Sequence, residues 1–165
     1  MDHQAYSRRG WGQWLGCMAL LAFAGCATRP GPSPRALNSS RTGSDIALFA
    51  LSLLDSPYVS GGRGPATGFD CSGLVSHVYL EAAGIALRGS AASMAKAARP
   101  VNTAHLMAGD LLFFNTLGYS FSHVGIYVGD GRFVHASNPR TGVRIDRLDS
   151  RYYAARFEGA KTLLG

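Results

Sequence analysis

Apolar residues recur at helical spacing in the first half of the chain. Residues 45–54 are apolar nearly all round, which predicts a buried helix. A second helix is predicted over 71–83, with Asp70 as its N-cap and Gly84 as its left-handed end. A third, short helix is expected over 90–98. The N-terminal half is therefore predicted to be helical.

The second half of the chain alternates short apolar stretches with glycine-rich turns. This pattern is typical of antiparallel strands. Helices followed by such strands indicate an α+β fold, with N-terminal helices packed on an antiparallel sheet of about five strands. The predicted strands cover 111–115, 123–128, 132–137, 143–145 and a segment within 154–164.

The predicted hairpin around residues 129–131 determines which side chains share a face of the sheet. A three-residue loop there pairs Ile126 with Val134 and gathers the aliphatic side chains on one face. A two-residue loop would separate His123 from His135. Because the aliphatic pattern favours the three-residue loop, we predict that both histidines lie on the other face.

Cys71 is the single cysteine beyond residue 26, and it begins a predicted helix. The positive end of a helix favours thiolate over thiol, so this position predicts a reactive nucleophile. The alternative is a buried, inert cysteine that acts as a small hydrophobic residue.

A thiol nucleophile needs a base and a group that orients the base. His123 is the candidate base and His135 the candidate orienting group. The backbone N–H of Cys71 and the hydroxyl of Tyr58 are candidate donors to the oxyanion. Zinc could also bind Cys71 and the two histidines, but a fourth ligand is not evident. We therefore expect no metal and no cofactor.

The N-terminus has the pattern of a bacterial export signal. Residues 1–25 contain two arginines followed by an apolar stretch that is too short to span a bilayer. The sequence around Cys26 resembles a lipobox, which implies a lipidated cysteine and attachment to a membrane. A simple cleaved signal that happens to contain Cys26 is the alternative. Residues 26–42 are rich in Pro, Ser, Arg and Gly, which predicts a flexible tether before a domain over 43–165.

The charge distribution narrows the range of partners. The chain has 16 Lys and Arg against 10 Asp and Glu, a formal net charge of +6, with the basic residues scattered. This pattern lacks the dense basic patch of a nucleic-acid-binding protein, so no nucleic acid is expected. It suits an anionic polymer or surface, or simply solubility. We expect a monomer.

Five ordered motifs resemble the NlpC family of bacterial cell-wall cysteine peptidases. They are Pro57-Tyr58-Val59-Ser60-Gly61-Gly62, Gly68-Phe69-Asp70-Cys71-Ser72-Gly73-Leu74-Val75, Gly109-Asp110-Leu111, His123-Val124-Gly125-Ile126-Tyr127-Val128-Gly129 and Phe133-Val134-His135-Ala136. The resemblance implies a reduced papain-like fold. It also implies a nucleophile at Cys71, a base at His123, a third polar residue at His135 and an active-site tyrosine at Tyr58.

The resemblance further implies a substrate and a location. Members of this family cut peptidoglycan stem peptides or their cross-links, often next to diaminopimelate. Ser60 stands where many members carry Trp or another large residue, which leaves fine specificity open. A related thiol amidase or acyltransferase, and a non-catalytic wall-binding lipoprotein, remain alternatives. Ala27 after Cys26 resembles the signal for outer-membrane sorting, so we expect an anchor there that faces the periplasm.

Overall fold

The computed structural model describes residues 33–165, which combine helices with antiparallel strands in the predicted order. The helices of this part of the chain are α1 (Pro34–Ser52), α2 (Cys71–Ala83), α3 (Ala91–Ala97) and α4 (Arg151–Ala154). Its strands are β1 (Arg63–Gly64), β2 (Gly68–Phe69), β3 (Arg99–Val101), β4 (Leu111–Phe114), β5 (His123–Gly129), β6 (Arg132–Asn138), β7 (Gly142–Arg147) and β8 (Phe157–Thr162). The predicted α+β class is confirmed.

The main sheet has six antiparallel strands, in the order β3-β8-β4-β5-β6-β7. The sequence predicts about five, and the additional one is β3 at the edge. This strand has three residues and contains Pro100, a residue that edge positions tolerate and central strands do not. Strands β1 and β2 form a separate two-stranded sheet, too short for an alternating pattern to reveal.

Helix α1 begins at Pro34, so the predicted tether over 26–42 is wrong for residues 34–42. Proline is compatible with the first turn of a helix, where its missing N–H is not needed. The hydroxyls of Thr42 and Ser44 each donate to the carbonyl four residues earlier, so they are satisfied inside the helix. The domain therefore starts before residue 43. Cys26 and the predicted signal segment lie outside the described residues.

Gly43 lies within α1, although glycine usually weakens a helix, and a close backbone contact accounts for it. A Cβ atom at Gly43 would overlap the carbonyl oxygen of Ala108. A Cβ atom at Gly109, whose φ is 88°, would likewise overlap the Cα atom of Gly43. Helix α1 thus docks backbone to backbone on the turn that precedes β4.

One face of α1 and the inner face of α2 pack on the sheet. Ile46 and Ala50 of α1 are buried, but Leu48 is 65% exposed, so the expectation of burial all round α1 is wrong. The main core joins these helices to alternate residues of the central strands. It contains Leu74, Val75 and Val78 of α2, Val124 and Ile126 of β5, and Val134 and Ala136 of β6. A second cluster, of Leu112, Phe114, Phe133, Tyr153 and Ala160, covers the other face.

The β5–β6 hairpin combines features of both loops considered from the sequence. Ile126 pairs with Val134 as predicted, but Gly129 pairs with Arg132 across a two-residue turn. Asp130 and Gly131 have φ values of 51° and 68°, the positive angles of a type I′ turn. A register shift between Tyr127 and Gly129 absorbs the difference of one residue. The predicted three-residue loop is therefore wrong, whereas the register beyond it is confirmed.

Candidate active site

Cys71 is the first residue of α2, and the side chain of Asp70 caps this helix. Asp70 accepts hydrogen bonds from the backbone N–H of Gly73 at 2.6 Å and of Gly61 at 3.1 Å. The Ser72 hydroxyl also donates a hydrogen bond to the Asp70 carboxylate, at 2.9 Å. The carboxylate therefore fixes both the start of the helix and the loop that precedes it.

The glycine-rich loop over residues 57–65 lies against α2 at van der Waals distance. A Cβ atom at Gly73 would overlap the carbonyl oxygen of Gly62, and a Cβ atom at Gly62 would overlap that of Gly68. The N–H of Asp70 donates to the Gly62 carbonyl at 3.0 Å. Glycine is needed at these positions because backbone meets backbone there.

Tyr58 lies in this loop, near enough to Cys71 for the two groups to interact electrostatically. It forms a bridge with Phe69, two residues before Cys71. Burial raises the pKa of Tyr58, and the neighbouring Cys71 and Asp70 raise it further. The hydroxyl therefore stays protonated and remains available as a hydrogen-bond donor.

The sulfur of Cys71 meets the backbone N–H of Val124. The residues of β5 that pair with β6 run from Ile126 to Gly129, at the turn. Val124 lies before this paired stretch, in the part of β5 that approaches α2. Burial raises the pKa of the Cys71 thiol, whereas the N–H groups of Val124, Ser72 and Cys71 lower it and Asp70 raises it again. The net shift is upward.

This shift corrects the expectation that the helix N-terminus makes Cys71 a thiolate. The favourable backbone N–H groups are present, but burial and the adjacent Asp70 carboxylate outweigh them. The raised pKa therefore favours the neutral thiol over the thiolate.

His123 and His135 are brought together as predicted. Nε2 of His123 lies 2.8 Å from Nδ1 of His135, with the two rings perpendicular. Their side chains are on the same face of the β5–β6 hairpin, and both residues are buried. Burial lowers the pKa of His123, and the neighbouring His135 lowers it further. Both effects favour a neutral imidazole.

Asp146 completes the group and was not predicted from the sequence. Nε2 of His135 lies 2.9 Å from Oδ2 of Asp146, and Arg144 donates to Oδ1 at 2.8 Å. His135 faces Arg144 across the β6–β7 ladder, and Asp146 is two residues further along β7. The alternation of 143–146 contains this signal, because Arg144 and Asp146 share a face with His135.

Burial raises the pKa of Asp146, but His135 and Arg144 outweigh it and hold that pKa below its ordinary value. The pKa of His135 is also lowered, chiefly by burial, although the bond to Asp146 opposes the shift. An ionised carboxylate therefore faces a neutral imidazole.

A cleft of about 350 Å³ adjoins His123 on the side of β6 and α4. Leu117 and Tyr152 on its walls are 68% and 48% exposed, and Ser137 and Asn138 add polar groups. Polar and apolar side chains thus border an open recess beside His123.

The other histidines among residues 33–165, His77 and His105, lie outside this cluster. His77 packs against the rings of Phe49 and Phe69, and His105 lies in a 3₁₀ turn. Within residues 33–165, no group of three His, Cys, Asp or Glu side chains is arranged to hold a metal ion. None of the helices in that range is both long and apolar enough to cross a bilayer.

Comparison with known proteins identifies the family. The model of the NlpC/P60 family matches residues 55–162, a segment that contains the loop, α2 and all three polar residues of the β5–β7 cluster. The chain belongs to the NlpC/P60 family. The resemblance seen in the motifs is thereby confirmed.

Individual relatives agree with this assignment. The chain is 39% identical over 119 residues to murein DD-endopeptidase MepH of Escherichia coli, covering 69% of this chain and 43% of that protein. It is 41% identical over 106 residues to a gamma-DL-glutamyl hydrolase of Bacillus subtilis, covering 64% and 25%. The chain thus spans less than half the length of these relatives.

A crystal structure confirms the fold. It is that of a protein similar to a lipoprotein of the NLP/P60 family from Staphylococcus aureus, with 38% identity and a TM-score of 0.66. The match covers 76% of this chain and 42% of the other. The reduced papain-like architecture expected from the motifs is the one that NlpC/P60 proteins share.

Proposed function

We propose that this NlpC/P60 domain is a peptidoglycan endopeptidase that works through a Cys71–His123–His135 thiol mechanism. The observation that carries the proposal is the buried histidine pair, with its 2.8 Å contact between Nε2 of His123 and Nδ1 of His135. A protein that only binds the cell wall has no need of such a pair next to Val124, the residue whose backbone N–H meets the partly exposed Cys71.

The first half of the reaction forms an acyl-enzyme. His123 takes the proton of the Cys71 thiol, and the sulfur attacks the carbonyl carbon of the scissile amide. The protonated His123 then gives its proton to the nitrogen of the departing amine as the C–N bond breaks. The acyl part of the peptide remains on Cys71 as a thioester.

The second half releases the acid and restores the enzyme. His123 takes a proton from water, and the resulting hydroxide attacks the thioester carbonyl. The C–S bond breaks, the sulfur recovers the proton from His123, and a carboxylic acid leaves. His135 acts throughout by holding the ring of His123.

Two donors are assigned to the oxyanion that forms in both halves. The backbone N–H of Cys71 belongs to the first turn of α2, where no carbonyl of the helix accepts it. The hydroxyl of Tyr58 is the other donor, since its raised pKa keeps it protonated.

The proposed substrate is a stem peptide or cross-link amide next to diaminopimelate. The motif resemblance and the murein endopeptidase among the relatives support this choice. The exposed Ser60 leaves the groove wall small where many family members carry a large side chain. A related amidase or acyltransferase would use the same thiol chemistry on another bond.

Digestion of purified, cross-linked muropeptides, followed by mass spectrometry, tests the proposal. New amine and carboxyl termini within the stem are expected with the wild-type chain. Cys71→Ser should lower the rate by roughly 10³-fold or more while the circular dichroism spectrum stays unchanged, because a serine hydroxyl is far less acidic. Release of whole stems from the sugar would indicate an amidase. Activity of Cys71→Ser within about tenfold of wild type would refute the nucleophile.

We also propose that a lipid on Cys26 anchors the domain to the outer membrane, facing the periplasm. The lipobox-like sequence before Cys26 and the lipoprotein-like relative support this. Cys26→Ala should release the protein from the membrane fraction and leave hydrolysis in solution unchanged. Retention of Cys26→Ala in the membrane fraction would contradict the anchor.

A further inference from the structure

We propose that Asp146 is a positioning residue that decides which ring nitrogen carries the proton in both His135 and His123. For its catalytic consequence the inference rests on the thiol mechanism proposed above. The proton positions themselves do not depend on any substrate.

The geometry leaves His135 no freedom to choose its partners. Its side chain is fully buried, with Asp146 at 2.9 Å from Nε2 and His123 at 2.8 Å from Nδ1. The Tyr153 hydroxyl is 3.4 Å from Nε2, but a hydroxyl can donate or accept and so imposes no direction. Asp146 is the neighbour that fixes the direction of this chain of hydrogen bonds.

A carboxylate only accepts hydrogen bonds, and this sets every proton in the chain. His135 must carry its proton on Nε2 in order to donate to Asp146. Its Nδ1 is then an acceptor, so His123 must donate from Nε2. The Nδ1 atom of His123 is left with a free lone pair, which is what a base for Cys71 requires.

Because of Arg144, the direction of these hydrogen bonds depends on whether the atom of residue 146 that faces His135 accepts or donates. Its guanidinium, a donor only, bonds to Oδ1 of Asp146 at 2.8 Å. In Asp146→Asn, Arg144 would hold the amide oxygen and turn the NH₂ group towards His135. That group would donate to Nε2, both imidazoles would reverse, and Nδ1 of His123 would carry a proton.

Kinetics of four variants test the inference on muropeptides. Asp146→Asn should lower kcat roughly 10²- to 10⁴-fold, with KM within about threefold, because the base is in the wrong tautomer. Arg144→Leu alone should cost only a few-fold. The double variant frees the amide to flip, so it should recover at least about tenfold over Asp146→Asn. Asp149→Asn is the matched control, since it removes an exposed carboxylate paired with Arg147.

Nitrogen NMR of the full chain in detergent micelles, labelled with ¹⁵N-histidine, reads the tautomers directly. At neutral pH, both active-site histidines should show a protonated Nε2 and an unprotonated Nδ1. Asp146→Asn should reverse both patterns and leave His77 and His105 unchanged.

Two results would overturn the inference. One is a wild-type His135 with its proton on Nδ1, which decides the matter even if a variant fails to fold. The other is a folded Asp146→Asn whose tautomers match wild type and whose kcat stays within about threefold. Absence of muropeptide cleavage by the wild type would refute the proposed function and leave the tautomer result standing.

Discussion

The two halves of the site are held in place by different kinds of contact. Cys71 is positioned mainly through backbone groups: the Asp70 carboxylate caps α2 by accepting bonds from backbone N–H groups, and the backbones at Gly62 and Gly73 press against each other. His123 is positioned by side chains, through His135 and then Asp146. Steric fit determines the geometry of the first half, whereas the direction of the hydrogen bonds determines that of the second.

This difference implies that the two halves are sensitive to different kinds of conservative substitution. One added methyl group is a serious change on the cysteine side, because the neighbouring backbone cannot move aside. On the histidine side, shape matters less than whether an atom donates or accepts. The comparison can be tested in each half separately.

Apart from loss of the Cys71 thiol itself, the largest effect is expected in the histidine half. His123→Ala removes the proton carrier and should reduce kcat most. His135→Ala should lose on the order of a hundredfold in kcat and little in KM, because this residue supports the base without touching substrate. His135→Asn should retain more activity, since an amide oxygen still accepts the bond from His123. Steady-state kinetics on a muropeptide measure all three.

An outcome against this ordering would be equally informative. Full activity of His135→Ala would reduce the site to Cys71 and His123. A rise in KM without loss of kcat would mean that His135 contacts substrate.

A smaller effect, on stability, is expected in the cysteine half. Gly73→Ala places a Cβ atom against the Gly62 carbonyl, so it should lower the free energy of unfolding by about 2 kcal/mol despite the better helix propensity of alanine. Gly64→Ala is the control, because its nearest neighbour would be the Thr67 hydroxyl at 3.9 Å. Urea unfolding compares the two. Equal stability of both variants would remove the steric account of this half.

The smallest effect is a shift in the pH at which the Cys71 thiol becomes reactive, without a change in the maximal rate of its alkylation. Because burial raises the pKa of Cys71, its alkylation by iodoacetamide should increase with pH through a midpoint above that of a free cysteine. Asp70→Asn should move the midpoint down, since the Asp70 carboxylate contributes to the rise. A plateau of fast alkylation extending below neutral pH would instead indicate a resting thiolate.

Much of the site could be predicted because the signals are local. Asp70 before an apolar helix and Gly84 after it fixed the ends of α2, and aliphatic alternation set the register that joins His123 to His135. These features depend on neighbours in sequence or on one hairpin.

The remaining features depend on packing between distant segments. Helix α1 starts at Pro34 and continues through Gly43, which packs on Ala108, a contact that no local pattern reveals. The raised pKa of Cys71 arises from its burial against β5, and burial cannot be read from the composition of α2. The role of Asp146 depends on the register of a further strand, β7, which extends beyond the predicted 143–145 to include residue 146.

The register shift in β5 gives the hairpin a tolerance to changes in length. It lies between Tyr127 and Gly129, on the turn side of the Ile126–Val134 pair. A residue gained or lost at the tip of the hairpin can therefore be taken up there, while the strand segments that carry His123 and His135 keep their alignment. Evolution or protein engineering can thus remodel this exposed tip, for example to graft a binding loop, without realigning the histidines.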